Sequence, residues 1–557
     1  MTAAKESFYL TTPIYYVNAA PHLGTAYTTI AADAMARYRR QCGYDVLFLT
    51  GLDEHGQKVQ AAANAAGRDP QDWVDALAVD FREVWRQLNI SYDRFIRTTD
   101  ADHTAVVRAL AQKLYDSGDI YKGSYHGWYC LPDETYWAPN DLEGTPQGAA
   151  DGTEGADGAD SADSATGDRV PLCPDCHRPL TWVEEENYFF RLSAYQDWLL
   201  DYCEAHPDFI GPETRRNEVL SFVRGGLKDL SISRANVDWG IPLPWDESHT
   251  MYVWFDALIN YITAAGYAQP GREEEFAHRW PAQIHYVGKD IIRFHCVIWP
   301  ALLHAAGLPI PERVFAHGFL LTRGEKMSKS KGNATRPLDL VERFGVDGYR
   351  YYFLRDVSFG QDGNISDEAM VQRYNGDLAN DWGNLVSRLF NMVGKYRDGR
   401  VPDYGGDMTA DAAEGAVLRD VACGLYDRVR ACYDRLDYAG ALTEVWELVK
   451  AANRYLEESA PWTLAKIASG GTDGGEQDAR AAALRLSQVL YSALEAVRIV
   501  ALYTAAVMPA TADEVCARLG LAPASAIDNL AELSAWGLLP AGNEVRVGDP
   551  LFPRLEK

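Results

Sequence analysis

The chain has 557 residues, of which 47% are apolar and 24% are charged. These are ordinary values for a globular protein; they exclude fibrous and wholly disordered classes, and the length predicts three or four domains. The formal charge is −26, from 53 basic and 79 acidic residues. That balance is unusual for a nucleic-acid binder, although a net value averages over local patches. Lysine is scarce, with 13 Lys against 40 Arg, so a cluster of lysines is informative.

Targeting and membrane segments are not evident in the sequence. The first twenty residues lack a basic start followed by an apolar stretch, and no uncharged apolar run of about 18 residues occurs. The nine cysteines are spread too widely for a disulfide framework. We therefore predict a cytoplasmic protein with reduced thiols and no membrane association.

The N-terminal part alternates between strand and helix patterns. A strand is predicted over residues 8–12 and a second over 46–49. Between them lie a loop that contains Pro13 and a helix over 24–41, and Gly56 begins a further helix. A strand, a glycine-containing turn, a helix and a second strand are typical of a doubly wound parallel sheet.

Residues 117–190 interrupt this alternation with aromatic residues, prolines and cysteines. Within them, residues 140–168 contain eight acidic residues and no basic ones among Gly, Ala, Ser and Thr. Such a segment cannot bury enough apolar area to offset its chain entropy, so a disordered loop is favoured over a functional acidic tail.

Strand patterns return at residues 284–287 and 313–316, and they fade beyond about residue 370. Long amphipathic patterns follow, for example over 439–456 and 478–504, with the glycine-rich stretch 470–475 between them. The C-terminal third is therefore predicted to be an all-α bundle.

The first candidate site is Pro21–Thr25, at the junction of the first strand and the first helix. Gly24 allows a ligand to approach the backbone, and a helix start offers free N–H donors to a phosphate. His22 can donate a hydrogen bond to a phosphate oxygen whose charge grows in a transition state. Taken alone, this pattern is more often simply a turn.

The second candidate site is Lys326–Asn333, where three of the thirteen lysines fall within six residues. The composition is that of a polar, mobile loop, and compact ammonium groups suit the neutralisation of phosphate. The alternative is a solvated basic loop without a ligand.

Together the two segments resemble the signatures of class I aminoacyl-tRNA synthetases. His22–Thr25 is similar to the HIGH motif, and Lys326–Ser330 reads KMSKS in full. Thr25 stands where the family has a second histidine, but a hydroxyl can still donate to phosphate. The flanking segments resemble methionyl-tRNA synthetases from Tyr9 to about Lys466, on these stretches: Pro13–Asn18, Gly51–Gly56, Tyr252–Ala257 and Gly288–Asp290.

This resemblance implies three sets of site residues. The implied catalytic residues are His22, Lys326 and Lys329, and the implied ATP-binding residues are His22, Gly24, Thr25, Asp290 and Lys329. The implied methionine-binding residues are Ile14, Tyr16, Asp53, Trp254, Ala257, Leu258, Tyr261 and His295. Asp53 would bind the ammonium group of the substrate, and Asp290 the ribose hydroxyls. Asp290 can also serve as the N-cap of a following helix.

Cysteines form the third candidate site. Cys173 and Cys176 are spaced as half of a tetrahedral zinc site, and Cys130 is the candidate third ligand. The family's zinc knuckle would have a cysteine at position 133, where this chain has Asp133, and His177 is an alternative fourth ligand. The other interpretations are a knuckle that has lost its metal and, less favoured, a redox CxxC.

The fourth candidate site lies in the helical third and resembles the family's anticodon-binding segments. Asn384 and Arg388 are one helical turn apart, and Trp462 can stack on an unpaired base. The alternative is a helix cap and a buried tryptophan.

The predicted fold is α/β, with a doubly wound parallel Rossmann-type catalytic sheet, an inserted knuckle domain and a following all-α helical bundle. The predicted domains are 1–116 and 241–325 for the two catalytic halves, 117–240 for the insertion, 326–375 for the KMSKS region and 376–557 for the anticodon-binding part.

The implied function is the ATP-dependent attachment of methionine to its initiator and elongator tRNAs through methionyl-adenylate, with Mg²⁺ accompanying ATP and Zn²⁺ in the knuckle. Two alternatives remain: a class I synthetase for an aliphatic amino acid, and a non-catalytic tRNA-binding paralogue. Because no appended dimerisation domain is evident, we predict a monomer.

Overall fold

A computed structural model describes residues 5–17, 20–130, 135–137, 142, 147–149, 169–174, 176–235, 237–322, 325–326, 336–410, 413–470 and 475–556. The predicted disordered loop at 140–168 and most of the KMSKS segment therefore lie largely outside the described residues.

The central sheet has six parallel strands. In spatial order they are Arg94–Arg97, Asp45–Asp53, Ser7–Tyr16, Ile284–Gly288, Val314–His317 and Ile210–Gly211. Apolar cores cover both faces, which is the arrangement that buried parallel strands require. The predicted doubly wound sheet is thus confirmed.

The first strand is longer than predicted. It continues through Pro13 to Tyr16, and its register against strand Asp45–Asp53 shifts between Thr11 and Ile14. Proline cannot donate to a sheet ladder, and an irregularity in the pairing accommodates it. The loop predicted to begin at Pro13 is therefore wrong, and the strand brings Ile14 to the end of the sheet.

The remaining strands form smaller sheets. One sheet, in the predicted insertion, contains Ile120–Cys130, Thr135–Trp137, Thr181–Phe190 and Leu230–Ser231. The others are Gln147–Ala149 with Arg169–Pro171, Ser233–Arg234 with Thr250–Met251, and Leu320–Thr322 with Glu325–Lys326 and Gly363–Ile365. Strand Ile210–Gly211, although within the range 117–240, pairs with the central sheet.

Helices connect and flank the strands of the central and smaller sheets. They are Leu23–Gln41, Gln57–Ala65, Pro70–Gln87, Ala101–Asp116, Gln196–Ala205, Glu213–Arg224, Val253–Leu258, Asn260–Ala265, Glu273–Arg279, Trp299–Ala305, Pro337–Asp356 and Asp367–Arg373. Two π-helical segments, Phe294–Ile298 and Tyr374–Gly383, precede helices. Such segments occur frequently at functional sites.

The C-terminal part is a helical bundle, as predicted. Its helices are Asn384–Tyr396, Ala416–Ala422, Leu425–Asp434, Tyr438–Ser459, Pro461–Ala468, Glu476–Thr504, Pro509–Arg518 and Leu530–Leu533. Helix Glu476–Thr504 is long and apolar enough to cross a membrane, but 89% of its most apolar stretch is buried in the bundle. It is the central core helix.

The bundle and the sheet share one apolar core. Tyr38 of the first helix stacks on Tyr433 with ring centroids 3.8 Å apart, and the hydroxyls of Tyr286 and Tyr438 lie 2.7 Å apart. These contacts join residues of the central sheet and its first helix to the bundle, so the two parts pack as one body.

Candidate active site

A pocket opens at the carboxyl ends of the central strands, beside the first strand. The first strand pairs with Asp45–Asp53 on one side and with Ile284–Gly288 on the other, so the strand order reverses there. Open α/β sheets bind their ligands at such a switch point. The pocket is lined by Pro13, Ile14, Asp53, Trp254, Ala257, Leu258, Tyr261, Ile291 and His295.

Seven of the eight predicted methionine-binding residues line this pocket. The exception is Tyr16, whose ring lies 5.1 Å from Lys58 Nζ. Pro13 and Ile291 line the pocket without having been predicted. The walls come from segments far apart in the chain, and they combine aromatic rings and aliphatic groups with one carboxylate, which suits an unbranched apolar amino acid.

Tyr261 and His295 are joined by a buried hydrogen bond at the base of the pocket. His295 Nδ1 lies 3.0 Å from the carbonyl of Ile291, which can only accept, so Nδ1 carries the imidazole proton. The lone pair of His295 Nε2 then accepts from the Tyr261 hydroxyl at 2.7 Å. The direction of both hydrogen bonds is therefore set by one backbone carbonyl.

Aromatic contacts hold these two side chains in place. Tyr261 stacks on His285 with centroids 4.2 Å apart, and its backbone carbonyl accepts from the Tyr9 hydroxyl at 2.7 Å. On the other wall, Trp254 stacks on Phe294 at 3.8 Å. These contacts restrict the rotation of Tyr261 and Trp254, one on each wall of the pocket.

Acid should lower the stability of the fold at this pocket. Burial lowers the pKa of His295 to about 4, and burial also lowers the pKa of His285 well below its ordinary value. Each is neutral when folded but gains a proton near pH 6.5 when unfolded, so their stabilising effect is complete above pH 6.5 and is lost as pH falls towards 4. For His295 alone this amounts to about 3 kcal/mol.

We expect urea unfolding to show stability falling between pH 6.5 and 4, with a smaller decline in His295→Gln. Equal declines in the two proteins would contradict the assignment to His295.

The turn that follows Asp53 is fixed by a backbone hydrogen bond of Asp53 and by the side chains of Glu54 and His55. The backbone carbonyl of Asp53 accepts from Val17 N at 3.3 Å. Buried Glu54 pairs with Arg97 at 2.7 Å, and its amide donates to Thr98 Oγ1 at 3.0 Å. His55 Nδ1 lies 2.6 Å from Asp256. Asp53 is thereby held at the pocket's edge, 5% exposed.

Asp256 connects this turn to the pocket's other wall. It accepts from His55 and, at 2.8 Å, from His103 Nε2, and it lies in the same short helix as Trp254 and Ala257. Burial raises the pKa of Asp256, but the two histidines lower it to about 2. This ionised carboxylate therefore fixes the two walls relative to each other.

The first helix begins beside the pocket, with His22 as its N-cap. The His22 imidazole accepts from the amides of Gly24 and Thr25 through Nδ1. Across the switch point, Asp290 lies in a short 3₁₀ turn after strand Ile284–Gly288. Its side chain lies so close to Gly288 that a Cβ at that position would clash with it. The cap position of that turn is Gly288, so the suggestion that Asp290 is an N-cap is wrong.

The second candidate site, Lys326–Asn333, is called the lysine loop below. It begins in a small sheet at the same end of the molecule. Strands Leu320–Thr322 and Glu325–Lys326 pair antiparallel, which places the Lys326 backbone beside Leu321. Lys329 lies outside the described residues. The base of this hairpin is tied to the Gly288–Asp290 turn, because Lys289 pairs with Asp362 at 2.8 Å and Asp362 accepts from the Phe319 amide at 2.8 Å.

The three predicted cysteine ligands come together. The sulfur atoms of Cys130, Cys173 and Cys176 lie within 4.8 Å of one another, and those of Cys130 and Cys176 are 3.4 Å apart. Zinc–sulfur bonds of about 2.3 Å in tetrahedral geometry separate the sulfurs by about 3.8 Å, so the cluster fits this ion. Asp133 lies outside the described residues, and His177 is exposed and adjacent.

The predicted anticodon residues lie on neighbouring helices of the bundle. Asn384 is exposed at the start of its helix, and Arg388 donates to Asn453 Oδ1 at 3.2 Å. Trp462 is 50% exposed, on the helix that follows the one containing Asn453. A half-exposed tryptophan contradicts the alternative of an ordinary buried one.

Family comparisons cover nearly the whole chain. Residues 8–390 match the family model described as tRNA synthetases class I (M), and residues 401–557 match the anticodon binding domain of methionyl tRNA ligase. The chain belongs to the methionyl-tRNA synthetase family. The resemblance seen in the sequence motifs is therefore confirmed.

Relatives of known sequence and structure share this methionyl-tRNA synthetase architecture. The methionine–tRNA ligase of Caldanaerobacter subterraneus is 46% identical over 99% of this chain and 79% of its own length, and that of Streptomyces coelicolor is 45% identical over 99% and 97%. The Mycobacterium tuberculosis methionyl-tRNA synthetase in complex with methionyl-adenylate superimposes with a TM-score of 0.87, at 46% identity, covering 99% of this chain and 100% of that one.

Sequence reasoning did not find the buried partners of the methionyl-tRNA synthetase pocket. His55 and Asp256 both lie in the quoted motifs, but they are 201 residues apart, and His103 lies in neither. Nothing in the local pattern indicates that these side chains meet. The one signal available in the sequence is a histidine, His55, beside two acidic residues in the motif Gly51–Gly56.

Proposed function

We propose that this chain attaches methionine to tRNA in two steps, with methionyl-adenylate as the intermediate. The observation that carries the proposal is the pocket at the switch point, which combines the predicted methionine-binding residues with the Asp53 carboxylate. The family match and the adenylate complex of a 46% identical relative support it.

Methionine would lie with its thioether against Trp254 and Tyr261 and its ammonium group beside Asp53. The methionine carboxylate attacks the α-phosphate of ATP, the bond to the β-phosphate breaks, and pyrophosphate leaves. His22 would donate from Nε2 to the transferring phosphate, and Lys326 and Lys329 would neutralise its growing charge. Mg²⁺, when bound with ATP, supplies further neutralisation of the phosphates.

The nucleotide would span the switch point, with Gly24 and Thr25 on the phosphate side and Asp290 on the ribose hydroxyls. The terminal ribose hydroxyl of tRNA then attacks the methionyl carbonyl, and AMP leaves. Asn384, Arg388 and Trp462 would read the anticodon through an amide, a guanidinium and a stacking surface.

Amino-acid-dependent exchange of labelled pyrophosphate into ATP tests the proposal. We expect methionine to support exchange, and isoleucine, valine and leucine to fail, because the aromatic walls of Trp254 and Tyr261 favour a polarizable thioether. Exchange with an aliphatic amino acid would favour the first alternative. No exchange with any amino acid, together with retained tRNA binding, would favour a non-catalytic paralogue.

Replacing Lys329 tests the lysine loop. We expect Lys329→Ala to slow adenylate formation by about 100-fold or more, because a donor to the developing phosphate charge is lost. Methionine affinity, measured by calorimetry without ATP, should be unchanged. Lys331→Ala, two residues along the same loop, is the matched control. Pyrophosphate exchange at the wild-type rate in Lys329→Ala would contradict the assigned role.

We also propose that the cysteine cluster binds one zinc ion, with Asp133 as the fourth ligand. The three converging sulfurs support this, because all three lie close enough together to bind one zinc ion.

Metal analysis of the purified protein should give about one zinc per chain, and Cys173→Ser should lose it. Asp133→Ala should lower zinc affinity more than His177→Ala; the reverse order would identify His177 as the ligand. A zinc-free wild-type protein would refute the site.

The monomeric state and the cytoplasmic location stay predictions. Light scattering against the chain mass of 61.9 kDa tests the monomer.

A further inference from the structure

Thr25 stands where the family signature of the His22–Thr25 segment has a second histidine, and its hydroxyl is engaged within the helix start. Thr25 Oγ1 accepts from the His22 amide at 3.0 Å and donates to the His22 carbonyl at 2.7 Å. In return, His22 Nδ1 accepts from the amides of Gly24 at 3.1 Å and Thr25 at 3.4 Å. The two residues form a reciprocal capping box.

This cap determines which nitrogen of His22 carries the proton. Because Nδ1 accepts backbone hydrogens, the neutral ring carries its proton on Nε2, and Nε2–H is the donor that points away from the helix. Gly24 completes the arrangement, because a Cβ there would lie 3.0 Å from Cε1 and 3.1 Å from Nδ1 of the ring. The imidazole is thus folded over the helix start in one orientation.

The turn beneath the cap is anchored to the central sheet. The Tyr15 hydroxyl lies 3.2 Å from the Thr25 carbonyl and 2.7 Å from Thr29 Oγ1. On the other side, Thr28 Oγ1 lies 2.6 Å from His317 Nε2, at the end of a neighbouring strand. The cap therefore fixes His22 relative to both sides of the switch point, and not only relative to its own helix.

We propose that Thr25 is a positioning residue that acts through His22, and that this chain uses a capping hydroxyl where its family signature has a second imidazole. The proposal rests on the proposed function for the role of His22. The single hydroxyl proton of Thr25 is donated to the His22 carbonyl, so Thr25 presents the Nε2–H of His22 to the phosphate instead of contacting it. This replaces the expectation that the Thr25 hydroxyl binds ATP directly.

Three variants in the full-length protein test this in pyrophosphate exchange. Thr25→Val keeps the shape but loses both hydrogen bonds, and we expect kcat/KM for ATP to fall roughly 3- to 30-fold, the range that loss of a cap implies, with KM for methionine unchanged. Thr25→Ser restores the hydroxyl and should recover the activity. Wild-type activity in Thr25→Val, or equal losses in the two variants, would overturn the proposal.

A double-mutant comparison separates action through His22 from direct contact with phosphate. In a His22→Gln background, adding Thr25→Val should cause no further loss in kcat/KM for ATP, because the group that Thr25 positions is already gone. Losses that multiply would show that Thr25 contacts the nucleotide itself and would overturn the proposal.

A measurement without substrate keeps this inference distinct from the proposed function. With ¹⁵N-labelled histidine, and the His22 signals assigned by their absence in His22→Gln, the free wild-type protein and Thr25→Ser should show Nε2 protonated and Nδ1 bare. Thr25→Val keeps the two amides that donate to Nδ1 but loses the two hydroxyl bonds that hold the His22 backbone against them, so it should show a mixture of tautomers. An unchanged tautomer in Thr25→Val would overturn the proposal, whereas an absence of methionine-dependent exchange in the wild-type protein would refute only the proposed function.

Discussion

Asp53→Asn is expected to raise the KM for methionine in pyrophosphate exchange by roughly 30- to 5000-fold, while KM for ATP stays near its wild-type value. Asp53 is 5% exposed and is the only carboxylate among the residues that line the pocket in the described part of the chain. A substrate ammonium buried beside it has no other anion there. Removing one partner of a buried charge pair costs about 2–5 kcal/mol, which sets the size of the effect.

Two controls separate the lost charge from a general disturbance. Asp45→Asn changes the same residue type at the opposite end of the same strand, where Asp45 is 41% exposed and pairs with Arg279, and it should leave the KM for methionine unaltered. A methionine analogue that lacks the amino group should inhibit the wild-type protein and Asp53→Asn equally. If Asp53→Asn weakened the analogue as much as methionine, the carboxylate would not be the ammonium partner.

The regular elements of this fold were predictable because they follow local rules. The strands at residues 46–49 and 284–287 and the helix at 24–41 were found within a few residues of their observed bounds, since buried parallel strands and amphipathic helices leave short periodic patterns. The predicted first strand ends before Pro13, whereas the observed strand continues. The register shift that accommodates the proline depends on the neighbouring strand and not on the sequence of the first strand itself.

The pocket was predictable only through the family motifs. Ile14, Asp53 and His295 lie on three segments separated by tens to hundreds of residues, and only the parallel sheet brings their ends together. Their neighbours Pro13 and Ile291 carry no chemical signal, so nothing in their type distinguishes them from core residues. The π-helical segment that contains His295 is likewise invisible in the sequence, since it differs from an α-helix by hydrogen-bond register alone.

The acidic composition is compatible with tRNA binding. A net charge of −26 does not predict tRNA binding, and the residues proposed for it are few: Asn384, Arg388 and the half-exposed Trp462. Recognition by stacking and by a small number of well-placed cations does not require a basic surface. The small number of lysines indicates the site better than the net charge does. Three of the thirteen lie in the lysine loop, where the proposed chemistry needs ammonium groups.

Arg350→Met is expected to lower the free energy of unfolding by about 3–5 kcal/mol, the cost of breaking a buried ion pair. Arg350 and Asp33 are fully buried, 2.6 Å apart, and join helix Pro337–Asp356 to the first helix. The guanidinium also donates to the carbonyls of Val507 at 2.8 Å and Ala506 at 3.2 Å, after the long core helix of the bundle. These acceptors would lose their donor when the side chain becomes apolar.

Arg480→Met is the matched control, because Arg480 pairs with Glu476 in a bridge that is 80% and 82% exposed, and such pairs contribute about 0–1 kcal/mol. Urea unfolding followed by circular dichroism measures both variants. Losses of equal size would mean that the buried pair contributes no more than a surface one.

Arg350→Met should affect pyrophosphate exchange and aminoacylation of tRNA unequally. The difference distinguishes a defect in the contact between the sheet and the bundle from a defect in the pocket. Pyrophosphate exchange uses the residues around the switch point and the lysine loop, whereas charging of tRNA also needs the bundle held at a fixed distance from them. We therefore expect Arg350→Met to reduce aminoacylation of tRNA several-fold more than methionine-dependent exchange, at a temperature where the variant is folded. Equal reductions would place the effect of Arg350 in the catalytic half, through Asp33 and the first helix, and not in the contact between the two parts.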